Sequence, residues 1–277
     1  MANIFQFDWE VSLIVWLQNI IENRPFLKSL FVLLTQFGEP ILPVLLAVVV
    51  YYGYKKEWGR NMILSFLFPQ IITDQLKNIF LRMRPYMANE VIKCLWAPEK
   101  GYDIYDIARQ GYSFPSGHAT SISAVMATLY LYERKKLFAK SYLPVVFLVC
   151  LSRVALGVHY PTDVLTGALI SLVAVFVFDA LIKKVSKKIL YPLLTLYCLT
   201  GVLFCHSDDY YSVIGLTMGF MLADLFEERN RPIIRTYHYQ RKSIRFPWKR
   251  QFLPRFPDSA GKAASDPILF PVRTCQG

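Results

Sequence analysis

The sequence predicts an all-α protein, a polytopic bundle of about six to seven transmembrane helices. Three observations lead there. Of 277 residues, 54% are hydrophobic and only 18% charged, with a mean hydropathy of +0.32, against roughly 45–50% and 25% in an ordinary soluble domain. The apolar residues gather into seven continuous stretches, at about 31–54, 61–82, 116–133, 141–157, 163–182, 189–206 and 210–226, each near the roughly 17–25 residues a helix needs to cross a bilayer. The stretches are continuous, unlike the alternating ten-residue strands of an outer-membrane barrel, and in lipid a helix pairs all its own backbone groups.

The elements follow in order. Residues 1–30 read as an N-terminal interfacial segment, because residues 8–23 mix Trp9, Leu13, Ile14, Leu17 and Ile21 with Asp8, Glu10, Gln18 and Glu22 and carry no basic stretch of a signal peptide. Residues 31–226 form the membrane-embedded domain. Gly38, Glu39 and Pro40 interrupt its first span. Gly167, Ala168, Gly215 and Gly219 read as helix-packing positions. Residues 227–277 are a basic, Pro-rich tail. The links after the first, third and fifth spans (Lys55, Lys56, Arg60; Arg134, Lys135, Lys136, Lys140; Lys183, Lys184, Lys187, Lys188) and the tail hold most of the 31 Lys and Arg. The positive-inside rule makes them cytoplasmic. The net charge of +11 is therefore topology, and the basic, aromatic tail reads as lying on anionic membrane lipid, with no nucleic acid as partner. Five cysteines, widely spaced, form neither a metal-ligand pattern nor a disulfide framework.

Chemistry collects on the opposite, non-cytoplasmic face. The second span ends in K-N-I-F-L-R-M-R-P, placing Lys77 and Arg84 two helical turns apart on one face before Pro85 stops the helix. F-P-S-G-H, from Phe114 to His118, precedes the third span, so Ser116 and Gly117 lie where a helix start exposes N–H groups to an anion. S-R-V-A-L-G-V-H-Y-P-T-D then brings Arg153, His159 and Asp163 to the same side. Three fixed cations and a helix N-terminus cancel the charge of a phosphate and of its transition state. Two histidines divide nucleophilic attack and protonation of the leaving oxygen, and Asp163 suits the orienting of a histidine. Arg82, outside this spacing, reads as a headgroup anchor. Acidic residues within apolar runs tend to be functional, which applies to Asp74 and to Glu39 at the outer rim, although Asp74 one turn from Lys77 is favoured as its ion-pair partner; His206 and His238 read as interfacial or packing residues.

The three pieces, K-x6-R-P, P-S-G-H and S-R-x5-H-x3-D, resemble the signature of the type 2 phosphatidic acid phosphatase family over residues 77–163, in a helical frame from about 31 to 182. The resemblance implies the helical-bundle core of the phosphatase and haloperoxidase superfamily. It implies a metal-independent phosphatase without a cofactor, in which His159 is the phosphohistidine nucleophile, His118 the general acid and Asp163 the residue orienting His159. Lys77, Arg84, Ser116, Gly117 and Arg153 would bind the phosphoryl oxygens. The implied substrate is a lipid phosphate or pyrophosphate, handled at the periplasmic face of a bacterial plasma membrane or the lumenal face of the endoplasmic reticulum. A seventh span and an outside N-terminus are more similar to the glucose-6-phosphatase branch, which keeps a soluble phosphate ester as the alternative substrate. A transporter or scaffold is the reading from a different class, but it leaves the two-histidine, three-cation spacing unexplained. Substrate choice is expected in the first span and in the 86–113 loop, with Trp96, Tyr102, Tyr105 and Tyr112.

Overall fold

A computed structural model describes residues 5–53, 56–133 and 136–243. Among them there are eleven helices and no strand: α1 (Asp8–Glu22), α2 (Pro25–Gln36), α3 (Ile41–Gly53), α4 (Lys56–Phe80), α5 (Pro85–Ala88), α6 (Ile107–Gln110), α7 (Gly117–Glu133), α8 (Lys136–Ala155), α9 (Pro161–Lys184), α10 (Lys187–Val202) and α11 (Asp208–Ser243). The chain divides into two compact units, Met1–Phe226 and Glu227–Gly277. Of the basic tail, residues 244–277, with Phe246, Trp248, Phe252 and Phe256, lie outside the described residues.

The interior is organised around α7, which packs against α4, α8 and α9. Its first turns carry Ala119, Thr120, Ser121, Ser123 and Ala124, all fully buried, and small residues let helix backbones approach closely where apolar burial offers little driving force in lipid. Hydroxyls tie the crossings together. Ser171 Oγ donates to the Thr120 carbonyl at 2.8 Å and Ser123 Oγ to the Ala168 carbonyl at 2.8 Å. On the α4 side, Gln70 Nε2 donates to Ser121 Oγ at 2.6 Å. Outward, α9 and α10 expose Leu165, Leu169, Val173, Leu193 and Leu196 by more than half. An exposed apolar band of this kind suits a lipid contact.

Length and composition alone assign fewer crossings than hydropathic stretches suggest. Among the described helices α9 passes by itself, with a mean hydropathy of 2.4 over its apolar window, and α2 with α3 passes as a pair bent by 46°. Of the others, α1, α7 and α10 have only 15, 17 and 16 residues, and α4 buries Asn61, Gln70, Thr73, Asp74 and Gln75, which lowers its mean hydropathy. The bend falls at Gly38-Glu39-Pro40. Pro40 has no N–H to continue the ladder, and Gly38 N–H turns back to the Thr35 carbonyl at 2.9 Å.

The glycines divide. A Cβ on Gly167 would stand 2.6 Å from the Ser116 carbonyl oxygen, so α9 crosses the start of α7 at a distance only glycine allows. Gly215 and Gly219, expected to be packing positions as well, meet nothing within 4 Å. Gly167→Ala is therefore expected to lower stability by about 1–3 kcal/mol through overpacking and to cut activity by displacing the Ser116 turn. Gly219→Ala should gain about 0.5–1 kcal/mol from helix propensity. Thermal unfolding of the two variants in detergent checks the contrast.

Candidate active site

The chain leaves α4 through Leu81, whose φ of +49° is in the left-handed region, a conformation costing a non-glycine residue roughly 1–2 kcal/mol. That turn sends Arg82 inward and sets Arg84 at the start of α5. The α7 N-terminus, the last turn of α8 and the α8–α9 loop then converge on a cavity of 320 Å³, lined by Lys77, Arg84, Gly117, His118, Arg153 and His159. Six of the eight predicted site residues thus share one cavity. Asp163 and Ser116 stand behind its wall. Ser116 N–H is spent on the Asp163 carbonyl at 3.1 Å, so the α7 N–H groups open to an anion are those of the helical residues that follow it.

Two contacts define the state of His159. Arg84 Nη1 lies 3.3 Å from His159 Nε2, and a guanidinium can only donate, so Nε2 is the accepting nitrogen. On the other side Nδ1 lies 2.8 Å from the Ser113 carbonyl oxygen, which can only accept, so Nδ1 carries the proton. The tautomer is fixed from both ends. Arg84 is itself held by the carbonyls of Gln110 (2.6 Å from Nη2), Gly111 and Val158. Arg153 donates from Nη1 to Thr35 Oγ1 at 2.8 Å, while its buried Nε has no partner among the described residues. Lys77 Nζ pairs with Asp74 at 2.9 Å, as the one-turn spacing suggests.

Asp163 stands at ion-pair distance from His159 but makes no direct hydrogen bond to it. Its Oδ2 is 3.6 Å from Nδ1 and accepts instead from Ser113 Oγ at 2.5 Å and from Tyr160 N–H at 2.8 Å. Asp163 therefore fixes Ser113, and the Ser113 carbonyl orients the ring. The reading of Arg82 as a headgroup anchor is corrected: its side chain is fully buried, bonded to Asp163 at 2.5 Å and to Glu10 at 2.6 Å, and stacked on the Tyr160 ring at 3.9 Å. Ser113, Arg82 and Glu10 escaped sequence reasoning. The double arginine of R-M-R-P was the one available signal.

The α2–α3 break reaches the site too. Glu39 Oε1 lies 3.2 Å from His118 Nε2, and a Cβ on Gly38 would meet His118 Cβ at 2.8 Å, so the break closes tightly over that histidine. From the 86–113 loop, Glu99, Arg109 and Gln110 line the cavity. The loop aromatics do not. Trp96 lies under Lys100 at 3.9 Å and Tyr102 under Arg109 at 4.8 Å.

Burial holds the His159 imidazole well below its ordinary pKa, and the neighbouring Arg84 and Arg153 push it the same way. Its folded pKa is below the unfolded value of about 6.5, so stability from the neutral ring is complete above that pH and is lost as pH falls beneath it. The His159 ring is accordingly neutral at neutral pH. Acylation of His159 by diethyl pyrocarbonate, read by peptide mass spectrometry, should fall off only at a pH below the ordinary imidazole midpoint of about 6.5.

A helical body around a cation-lined cavity with two histidines defines a phosphate-handling enzyme of the membrane phosphatase class. The chain belongs to the PAP2 superfamily, whose model matches residues 58–187. It is 30% identical over 167 residues to the decaprenylphosphoryl-5-phosphoribose phosphatase of Mycobacterium tuberculosis, covering 57% of this chain and 82% of that one. It is 30% identical over 146 residues to the undecaprenyl-diphosphatase of Sulfolobus acidocaldarius, covering 52% of this chain and 65% of the relative, just under two thirds of its length. A solved transmembrane PAP2-type phosphatidylglycerolphosphate phosphatase from Bacillus subtilis superposes with a TM-score of 0.50 at 26% identity, over 65% of this chain and 90% of that one. Membership in a phosphatase family displaces the transporter or scaffold reading.

Proposed function

We propose that this protein hydrolyses a lipid phosphate or diphosphate monoester at the non-cytoplasmic face through a phosphohistidine on His159. The clamp on the His159 tautomer, Arg84 on Nε2 and the Ser113 carbonyl on Nδ1, is the observation that carries the reading. Nε2 then carries the lone pair of the ring, which Arg84 holds until a phosphate takes that donor, and His159 lines the cavity with Lys77, Arg84 and Arg153. In the first step Nε2 forms a bond to phosphorus while the bond to the leaving oxygen breaks, and His118 supplies that oxygen with a proton. In the second, water attacks phosphorus, gives its proton to His118, and the electron pair of the P–N bond returns to Nε2 as phosphate leaves. The cations and the first N–H groups of α7 stabilise the charge on the equatorial oxygens.

The substrate class has two supports. The relatives are named for polyprenyl-linked phosphates and a phospholipid phosphate, and the cavity continues from the cations onto Val44, Phe66, Leu67, Val213 and Leu216, a wall suited to the first methylenes of a chain. Activity is expected without added metal, because the fixed cations supply the charge stabilisation that Mg²⁺ gives other phosphatases. The test is phosphate release from polyprenyl diphosphate, phosphatidylglycerol phosphate, phosphatidate and glucose 6-phosphate by the purified protein in detergent with EDTA present. Turnover of the lipids and not of the sugar supports the reading. Turnover restricted to the sugar phosphate, or activity abolished by EDTA and restored by a divalent ion, contradicts it.

A further inference from the structure

We infer that Glu10 of α1 is a positioning residue for phosphoryl transfer, acting through Arg82 and Asp163 to place one net negative charge behind the His159 ring. The inference rests on His159 being the nucleophile. α1 lies outside the residues matched by the family model, yet it delivers the most buried carboxylate of the N-terminal region, with the side chains of Glu10, Arg82 and Asp163 all 0% exposed.

The contacts form one chain. Glu10 Oε2 accepts from Arg82 Nη2 at 2.6 Å, and Arg82 Nη1 donates to Asp163 Oδ1 at 2.5 Å. Asp163 Oδ2 accepts from Ser113 Oγ, and the Ser113 carbonyl takes the proton side of His159. The other oxygen of Glu10 accepts from Thr162 N–H at 3.0 Å and Thr162 Oγ1 at 2.6 Å, which fixes the first turn of α9 where Asp163 sits. The Phe5 ring covers the Arg82 guanidinium at 4.8 Å and excludes water from it.

Three buried charges need a reason other than stability. Removing charges from water costs more than a buried pair commonly returns, and such pairs are often replaceable by apolar groups. The count here is odd: two carboxylates to one guanidinium leave a single negative charge on the Nδ1 side of His159. That side needs it. When Nε2 bonds to phosphorus, Nδ1 keeps its proton and the ring becomes cationic, while Lys77, Arg84 and Arg153 in the cavity oppose a further positive charge. With Arg82 alone, Asp163 would be neutralised and the ring uncompensated. Glu10 restores the balance by occupying the other end of the guanidinium.

The test follows charge count and not shape. Burst kinetics with p-nitrophenyl phosphate on the purified full-length chain read phosphorylation and dephosphorylation as separate rate constants. Glu10→Gln keeps oxygen for Thr162 and removes the charge; phosphorylation should slow about tenfold, the equivalent of about one pKa unit at the ring, with the substrate dissociation constant unchanged and dephosphorylation no slower. Glu10→Gln with Arg82→Gln returns the count to one net negative charge and should recover phosphorylation to within about threefold of the parent. Arg82→Lys keeps the count while losing the two-ended fork, and should lose stability while keeping the phosphorylation rate of its folded fraction. Unchanged rates in Glu10→Gln, losses that multiply in the double variant, or a loss in Arg82→Lys equal to that of Glu10→Gln would each overturn the inference. A parent protein that carries no acid-labile phosphate on His159 during turnover would overturn the nucleophile assignment first, and the inference with it.

Discussion

His159→Ala is expected to abolish turnover on every substrate together with any covalent phosphoenzyme. The variant deletes the atom that forms the bond to phosphorus, and loss of a nucleophile commonly costs on the order of 10⁴-fold or more. The fold should survive, because Arg84 keeps the carbonyls of Gln110, Gly111 and Val158, and Ser113 keeps Asp163. Steady-state assays on an alkyl phosphate and on p-nitrophenyl phosphate, with the unfolding temperature as control, check this. Residual turnover that is the same fraction of the parent rate as in an unrelated cavity variant would mean that His159 is a phosphate ligand.

His118→Ala should behave differently with different leaving groups. It removes a proton donor worth about 10²–10⁴-fold in general acid catalysis, so the loss on an alkyl phosphate should approach that range. On p-nitrophenyl phosphate, whose leaving oxygen departs with little help, the loss should be small. Glu39, left without its contact to His118 Nε2, remains half exposed at the cavity edge and imposes no buried-charge penalty. Equal losses on both substrates would contradict the general-acid role.

How much of this site was legible in the sequence depends on how local each contact is. Lys77, Arg84, His118, Arg153 and His159 stand in three short segments whose residue types already state the chemistry, and the structure brings all five to one cavity. Lys77 aside, which pairs locally with Asp74, the supporting contacts are distant in sequence: Arg82 with Glu10 spans 72 positions, Arg153 with Thr35 spans 118, and His118 with Glu39 spans 79. Apolar periodicity reports which face of a segment is buried, not which segment it meets. The polar Glu10 therefore read as part of a wetted face, although the fold places it against a buried arginine.

The helices themselves were legible, since each apolar stretch contains a helix, and the G-E-P break was visible from its backbone chemistry. The arrangement was less so. Hydropathy cannot separate a polar residue that faces lipid from one such as Gln70, which is satisfied by Ser121 inside the bundle. For the same reason Gly167 and Gly219 looked alike in sequence, whereas the first sits against the Ser116 carbonyl and the second in open space.

The central claim, a covalent intermediate on His159 Nε2, is tested most directly by trapping it. The protein, acid-free and rapidly quenched during turnover of a ³²P-labelled lipid phosphate, should carry label that is stable in base and lost in acid, and ³¹P NMR with peptide mapping should place it on the Nε2 nitrogen of His159. Label on another residue, label on the Nδ1 nitrogen, or full turnover with no protein-bound phosphate would contradict the account.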